Sequence, residues 1–194
     1  LLRKGEEILV LAARDKKIAL IVPGDPLSAT THLAIVGLAK EHDVSVEIIH
    51  NASILTAVAE TGLSIYKFGR VATLPFSLGD DVHTSPYEQM MSNMQAGLHT
   101  LVLFDLDPQE KRFMTVKEAI GILRKSEQQK QTGLLSEDKL IIACAALGTP
   151  EKLIIVGTPT DLERMEINPV PRCLVIPGEM AHYEKEALEV LKRA

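Results

Sequence analysis

The string Pro23-Gly24-Asp25-Pro26-Leu27-Ser28 follows a continuous apolar run, Ile18–Val22, and precedes a stretch with helical spacing. The setting matters because open parallel sheets bind ligands beyond the carboxyl ends of their strands. A carboxylate there suits a hydroxyl or an amine and repels a phosphate. The string contains neither G-x-G-x-x-G nor G-x-x-x-x-G-K-[ST], so dinucleotide and ATP sites have no support. The plainer reading is a turn, with glycine supplying an unusual dihedral and proline stopping the strand. Spacing alone leaves the two readings even. His50-Asn51-Ala52-Ser53-Ile54 repeats the arrangement after a second apolar run, Val44–Ile49. Two strand ends carrying small polar residues can face one crevice; the plainer alternative is a helix cap by Asn51 or Ser53. Between them lies Ala29-Thr30-Thr31-His32. Thr30 and Thr31 are cap candidates. His32 is a candidate base or ligand, although a lone histidine at a helix start is more often a capping or surface residue.

Other chemistries find little support. The six histidines and two cysteines show no H-x-x-x-H or C-x-x-C spacing, so no metal site is expected. No G-x-S-x-G elbow points to a serine hydrolase. Cys144 and Cys173 lie in apolar runs and read as buried free thiols of a cytosolic protein. Met90, Met91 and Met94 fall at mostly helical spacing, and core packing is favoured over a binding surface.

The elements that must position these residues follow from composition and periodicity. The chain has 194 residues, 46% hydrophobic and 24% charged, with a formal net charge of −5. That is a globular composition, and the mild acidity argues against a nucleic-acid binder. No apolar run approaches the ~20 residues of a membrane-spanning helix. The amino-terminal residues read as an amphipathic helix and not as a signal peptide. Ile18–Val22 and Val44–Ile49 read as buried parallel strands joined through a helix over 30–40, and a further helical stretch runs from 51 to about 60. Leu63–Phe68 and Val71–Phe76 read as short extended pieces and 77–86 as a loop. Helices are expected over 87–96, 115–123 and 183–191, the second with Thr115 as N-cap and Glu118 completing a capping box. Strands are expected over 100–106, 140–146, 153–156 and 173–176. These elements give an α/β fold in two α/β domains, residues 1–68 and 69–194, the second with a mixed sheet. Tyr66, Lys67 and Phe68 fall at the boundary, where an aromatic pair either lines a cleft or packs in the core.

Several strings taken together carry a family resemblance. PGDPLSATTH (23–32), IHNASI (49–54), GLSIYKF (62–68) with Gly69, and GLHT (97–100) with Leu103-Phe104-Asp105 resemble diphthine synthases in order and spacing along essentially the whole chain. Met114-Thr115 and LVIPG (174–178) fit as well. GDP alone is shared across the tetrapyrrole methylase superfamily, whereas ATTH, IHNASI and IYKFG are far more specific. The resemblance implies an S-adenosylmethionine-dependent methyltransferase with the cofactor in the cleft between two α/β domains, and a cytoplasmic homodimer of archaeal type. The implied substrate is a protein, translation elongation factor 2, methylated on the amine of a 3-amino-3-carboxypropyl-histidine to form diphthine. Carried over by position, cofactor contacts fall on Asp25, Ser28, Ser53, Ile54, Phe104, Leu147 and Arg172. Arg172 stands where relatives often have a histidine. No metal is implied. A base must take the amine's proton, and His32, Tyr66 and His99 are candidates by their place in the shared strings.

The resemblance also implies a segment before Leu1, with a short strand and a glycine-rich turn, that would complete the first sheet. The chain is therefore expected to be a fragment of such an enzyme. The alternatives are a precorrin-type tetrapyrrole methylase, or a truncated non-catalytic form that binds the cofactor.

Overall fold

A computed structural model describes residues 2–76, 84–107 and 109–193. The chain divides into two compact units, Leu1–Ala57 and Val58–Ala194.

The first unit contains α1 (Leu2–Ala12), α2 (Leu33–Glu41) and the short α3 (Ile54–Ala57). The expected strands at Ile18–Val22 and Val44–Ile49 are not formed. A run apolar on both faces becomes a buried strand only with paired neighbours and covering layers. Among the described residues neither run has a ladder partner, and Ile21 and Ile49 are 90% and 79% exposed. The helix expected over 30–40 does form, but its N-cap is His32, which makes no side-chain cap bond, so neither Thr30 nor Thr31 caps it. Ser53 does cap α3: its Oγ accepts the Leu55 N–H at 3.2 Å.

The second unit is built on a five-stranded mixed sheet. Its strands are β1 (Ala72–Leu74), β2 (Thr100–Phe104), β5 (Ile141–Ala145), β6 (Leu153–Gly157) and β7 (Arg172–Ile176). The order is β1-β2-β7-β5-β6, with β1 parallel to β2 and every other pairing antiparallel. β3 (Leu106–Asp107) and β4 (Arg112–Phe113) form a separate small ribbon. Helices α4 (Thr84–Gln95), α5 (Val116–Lys130) and α6 (Pro159–Arg164) contribute Tyr87, Met90, Ile120, Leu123 and Leu162 to one core with Val102, Ala143 and Leu174 of the sheet. The methionine stripe is therefore core, as its spacing suggests. Thr115 and Glu118 form the expected capping box at the start of α5. Strand alternation turns Leu101, Ile142, Cys144, Cys173 and Val175 to the other face, and α7 (His182–Arg193) packs against β6. Cys144 sits opposite Cys173 in the β5–β7 register; both are buried and unbridged. Of the expected loop at 77–86, residues 77–83 lie outside the described residues, and Thr84–Pro86 begin α4.

Residues 58–68 pack in the second unit and not with the first, so the boundary lies at Ala57 and not at the expected Phe68. Leu63–Phe68 is not an extended piece but contains a 3-10 turn, Ile65–Lys67. The cause is Glu184 on α7, whose side chain has no exposed surface. One of its oxygens accepts the Ser64 N–H at 2.8 Å and His99 Nε2–H at 2.9 Å. The other accepts Lys67 Nζ–H at 2.6 Å and the Ala181 N–H at 2.7 Å. Burial alone would raise the Glu184 pKa, but Lys67, the two backbone N–H groups and His99 outweigh it and hold the carboxyl at about 2. Burial keeps the His99 imidazole below its ordinary 6.5, against the opposing pull of Glu184.

Both groups bind protons more readily in the unfolded chain, so their contribution to stability is complete above neutrality and is lost as pH falls. The His99 share goes first, below its unfolded value of 6.5. The Glu184 share goes between 4.5 and about 2, and is worth on the order of 3 kcal/mol at about 1.4 kcal/mol per unit. Urea unfolding across this range checks both, and His99→Gln is expected to flatten the slope just below pH 6.5 while leaving the Glu184 part of it.

Candidate functional site

In the first unit the chemistry gathers around Asp25, which is 9% exposed. One carboxylate oxygen accepts the Leu27 N–H at 2.9 Å and Ser28 Oγ–H at 3.0 Å. The other accepts His50 Nδ1–H at 2.8 Å and the Asn51 N–H at 3.2 Å. With the His50 bond as the largest influence and the Leu27 N–H next, these donors hold the carboxyl far below the usual carboxylate range, against an opposing effect of burial. An ionised carboxylate only accepts, so His50 Nδ1 carries a proton toward Asp25, and in the neutral ring the lone pair falls on Nε2. Gly24 is favoured in this arrangement by its φ of +75°; a Cβ there would only touch the Ala52 carbonyl oxygen, at 3.4 Å. The two polar strings are thus joined by one side chain, and Ser53 and Ile54 follow directly on the second.

In the second unit the pairing register gathers the remaining residues at one end of the sheet. Leu103 lies opposite Cys173, and Ala145 opposite Arg172. Phe104 closes β2, Arg172 opens β7, and Leu147 comes two residues after β5. Arg172 Nε donates to the Ile167 carbonyl at 2.6 Å, and its Nη atoms donate to the Asn168 carbonyl at 2.6 Å and the Met114 carbonyl at 3.4 Å. The guanidinium is therefore occupied in holding the chain around β7.

Two alanines adopt left-handed backbone beside these residues, a conformation that costs a non-glycine residue about 1–2 kcal/mol. Ala29, with φ +54°, follows Ser28; Ala146, with φ +48°, precedes Leu147. Ala146 is pinned by its N–H to the Pro171 carbonyl at 2.9 Å and by its carbonyl, which accepts the Thr149 N–H at 3.1 Å. Strain of this kind persists where the surroundings over-determine it, and it clusters at ligand sites.

The three candidate bases fare differently. His99 is fully buried with both ring nitrogens engaged, since Nδ1 accepts the Gly178 N–H at 2.9 Å while Nε2–H donates to Glu184. It cannot reach a substrate proton. Tyr66 is 93% exposed on the 3-10 turn. His32 Nδ1 lies 3.0 Å from the Pro26 carbonyl and donates to it. His50 received no role from the sequence. Its signal was its position directly after the second apolar run, matching that of the Pro23–Asp25 turn after the first.

The profile of the Tetrapyrrole (Corrin/Porphyrin) Methylases matches residues 2–163. A diphthine synthase of Methanocaldococcus jannaschii is 36% identical over 185 residues, covering 94% of this chain and 72% of that protein. A diphthine methyl ester synthase of Aspergillus fumigatus is 32% identical over 197 residues, covering 94% of this chain and 69% of its own length. A crystal structure of diphthine synthase superposes with a TM-score of 0.83 at 30% identity, over 99% of this chain and 75% of that one. An Entamoeba histolytica structure assigned to the same group reaches a TM-score of 0.90 at 30% identity, over 95% of this chain and 74% of that one. The α/β fold with its mixed sheet, the shared strings and these relatives agree: the chain belongs to the diphthine synthases, methyltransferases of the tetrapyrrole methylase family.

Proposed function

We propose that this chain transfers methyl groups from S-adenosylmethionine to the amine of the 3-amino-3-carboxypropyl-histidine of elongation factor 2, forming diphthine. The observation that carries this reading is that the two most specific neighbouring strings, at 23–32 and 49–54, are tied together through Asp25, Ser28, His50 and Asn51. The residues fit such a cofactor. The first unit offers a carboxylate and hydroxyls, which suit an ammonium and ribose hydroxyls, and no glycine-rich phosphate cradle. The second offers apolar Phe104 and Leu147 beside backbone at the end of the sheet. When bound, the cofactor supplies a methyl group on a sulfonium centre.

The chain's own part is placement. Asp25 fixes the loops that carry Ser28, Ser53 and Ile54, and placement alone supplies up to ~7–11 kcal/mol of a barrier in favourable cases. The four bonds already made by its carboxylate mean that Asp25 acts first as the clasp of the loops. Any direct contact with the cofactor exchanges one of those donors. Arg172 holds the chain around Met114, Ile167 and Asn168 through its side chain, so a cofactor contact at this position would fall to its backbone.

The test is mass spectrometry of elongation factor 2 bearing the aminocarboxypropyl-histidine, after incubation with S-adenosylmethionine and the complete gene product. Mass gains in steps of one methyl are expected. Asp25→Ala is expected to lower the rate by about a hundredfold or more, since a displacement of about 1 Å costs that much. Tight binding of S-adenosylhomocysteine without methyl transfer to this factor would overturn the substrate and turn the search to tetrapyrroles. A second variant probes the strained loop before Leu147. Ala146→Gly is expected to leave stability within about 1 kcal/mol of the parent, because relief of the left-handed backbone is offset by added unfolded-state entropy and a lost buried methyl. Thermal unfolding reads that difference. Calorimetric titration with S-adenosylhomocysteine reads the accompanying loss of affinity expected from a looser loop.

A further inference from the structure

Methyl transfer to an amine requires a free lone pair on nitrogen, and an alkyl amine in water is an ammonium ion. Some group must take its proton. We propose that His50 is this general base, with Asp25 as the residue that orients and charge-balances its ring. The inference rests on the reading of function above and adds to it the group that moves the proton.

The geometry supports it in three ways. First, the tautomer of the neutral ring is fixed: Nδ1–H points to an ionised carboxylate at 2.8 Å, which leaves Nε2 as the basic nitrogen. Second, the ring is anchored and still reachable. The Asn51 N–H donates to the same Asp25 oxygen as the ring, while the His50 side chain is 68% exposed against 8% for Asp25. Third, the carboxylate can balance the imidazolium that forms, which a neutral partner cannot. His32 has only the Pro26 carbonyl in the equivalent position, and His99 has no free nitrogen. Through Asp25, the His50 ring shares its anchor with Ser28, and Ser53 and Ile54 lie three and four residues further along the chain.

The step balances without an added reagent. The substrate ammonium passes one proton to Nε2 and becomes a neutral amine. Its lone pair forms the new N–C bond as the C–S bond breaks, with that pair passing to sulfur. The nitrogen is left cationic and the sulfur neutral. The imidazolium then passes its proton to water. Each further transfer to the same nitrogen needs one more proton removed by the same route.

His50→Asn is the informative variant, because the asparagine amide can still donate to Asp25 but has no basic nitrogen. Its affinity for S-adenosylhomocysteine is expected to stay within about threefold of the parent, while kcat for elongation factor 2 falls by about a hundredfold or more. His50→Gly is expected to regain at least about tenfold of its lost rate with added imidazole, which a purely structural histidine would not. Retention of more than about a third of the parent rate by His50→Asn would overturn the assignment. So would loss of cofactor affinity together with rate and no rescue by imidazole, which would make His50 a brace for the loop. A loss in His32→Asn that His50→Asn does not share would move the role to His32. If the parent binds S-adenosylhomocysteine but methylates no elongation factor 2, the reading of function falls and the base assignment with it; an active parent indifferent to His50 overturns the base alone.

Discussion

Glu184 has no exposed surface, and a carboxylate removed from water is tolerated only when donors replace the water. Four donors do so, and they come from three places in the chain: the 64–67 turn, the start of β2 and the start of α7. Much of the second unit follows from that requirement. The turn at Ile65–Lys67 curls because its Ser64 N–H and its lysine both point at one carboxylate. Lys67 also donates to the Glu179 carbonyl, and the Gly69 N–H to the His99 carbonyl at 2.9 Å, which lays residues 67–69 along the residues that open β2. Gly178 donates to the far side of His99, where a Cβ would lie 2.3 Å from the Leu98 carbonyl oxygen, so glycine is required there. Residues 64–67 are held to the second unit because separating them would strip the buried Glu184 carboxylate of its lysine and of one backbone donor, a loss of about 3–5 kcal/mol.

The first unit uses the same device with less burial. It has no sheet among the described residues, so its loops are not held by ladder bonds. Asp25 takes the place of a ladder at one point, binding its own turn through Leu27 and Ser28 and the distant 50–51 backbone and ring. A carboxylate with four donors is a stiff joint. It also carries charge to a surface-facing imidazole. The positioning of the loops and the chemistry of the ring thus depend on the same atoms.

What the sequence made legible was whatever local pattern decides. The α5 capping box, the methionine face of α4 and the five strands of the second sheet could be read from spacing, because each is fixed within a few residues or by plain apolar continuity. Ile18–Val22 and Val44–Ile49 show the limit of that approach. Their composition states that they suit a buried strand, but pairing is a property of neighbours, and the runs themselves say nothing about where those neighbours are. The 63–68 stretch failed for a related reason. Its alternation looks extended, yet a glutamate 117 residues away from Lys67 decides its shape. The α6 helix is not among the expected elements, although Thr158-Pro159-Thr160-Asp161 carries a proline at its first turn and a complete capping box.

The candidate site was legible as a set of strings and illegible as a division of labour. His50 and His99 both lie in strings shared with the family, and each meets a carboxylate through one ring nitrogen at 2.8 or 2.9 Å. The second ring nitrogen separates them. In His99 it accepts the Gly178 N–H inside the fold, so the ring is a fixed link in a buried network. In His50 it belongs to an exposed ring and is available to a proton. No spacing rule distinguishes the two, because the difference lies in whether a distant N–H reaches the ring. A histidine held by a carboxylate becomes an acid–base group only when the fold leaves its other nitrogen unclaimed, and among the described residues that condition selects His50 over His99.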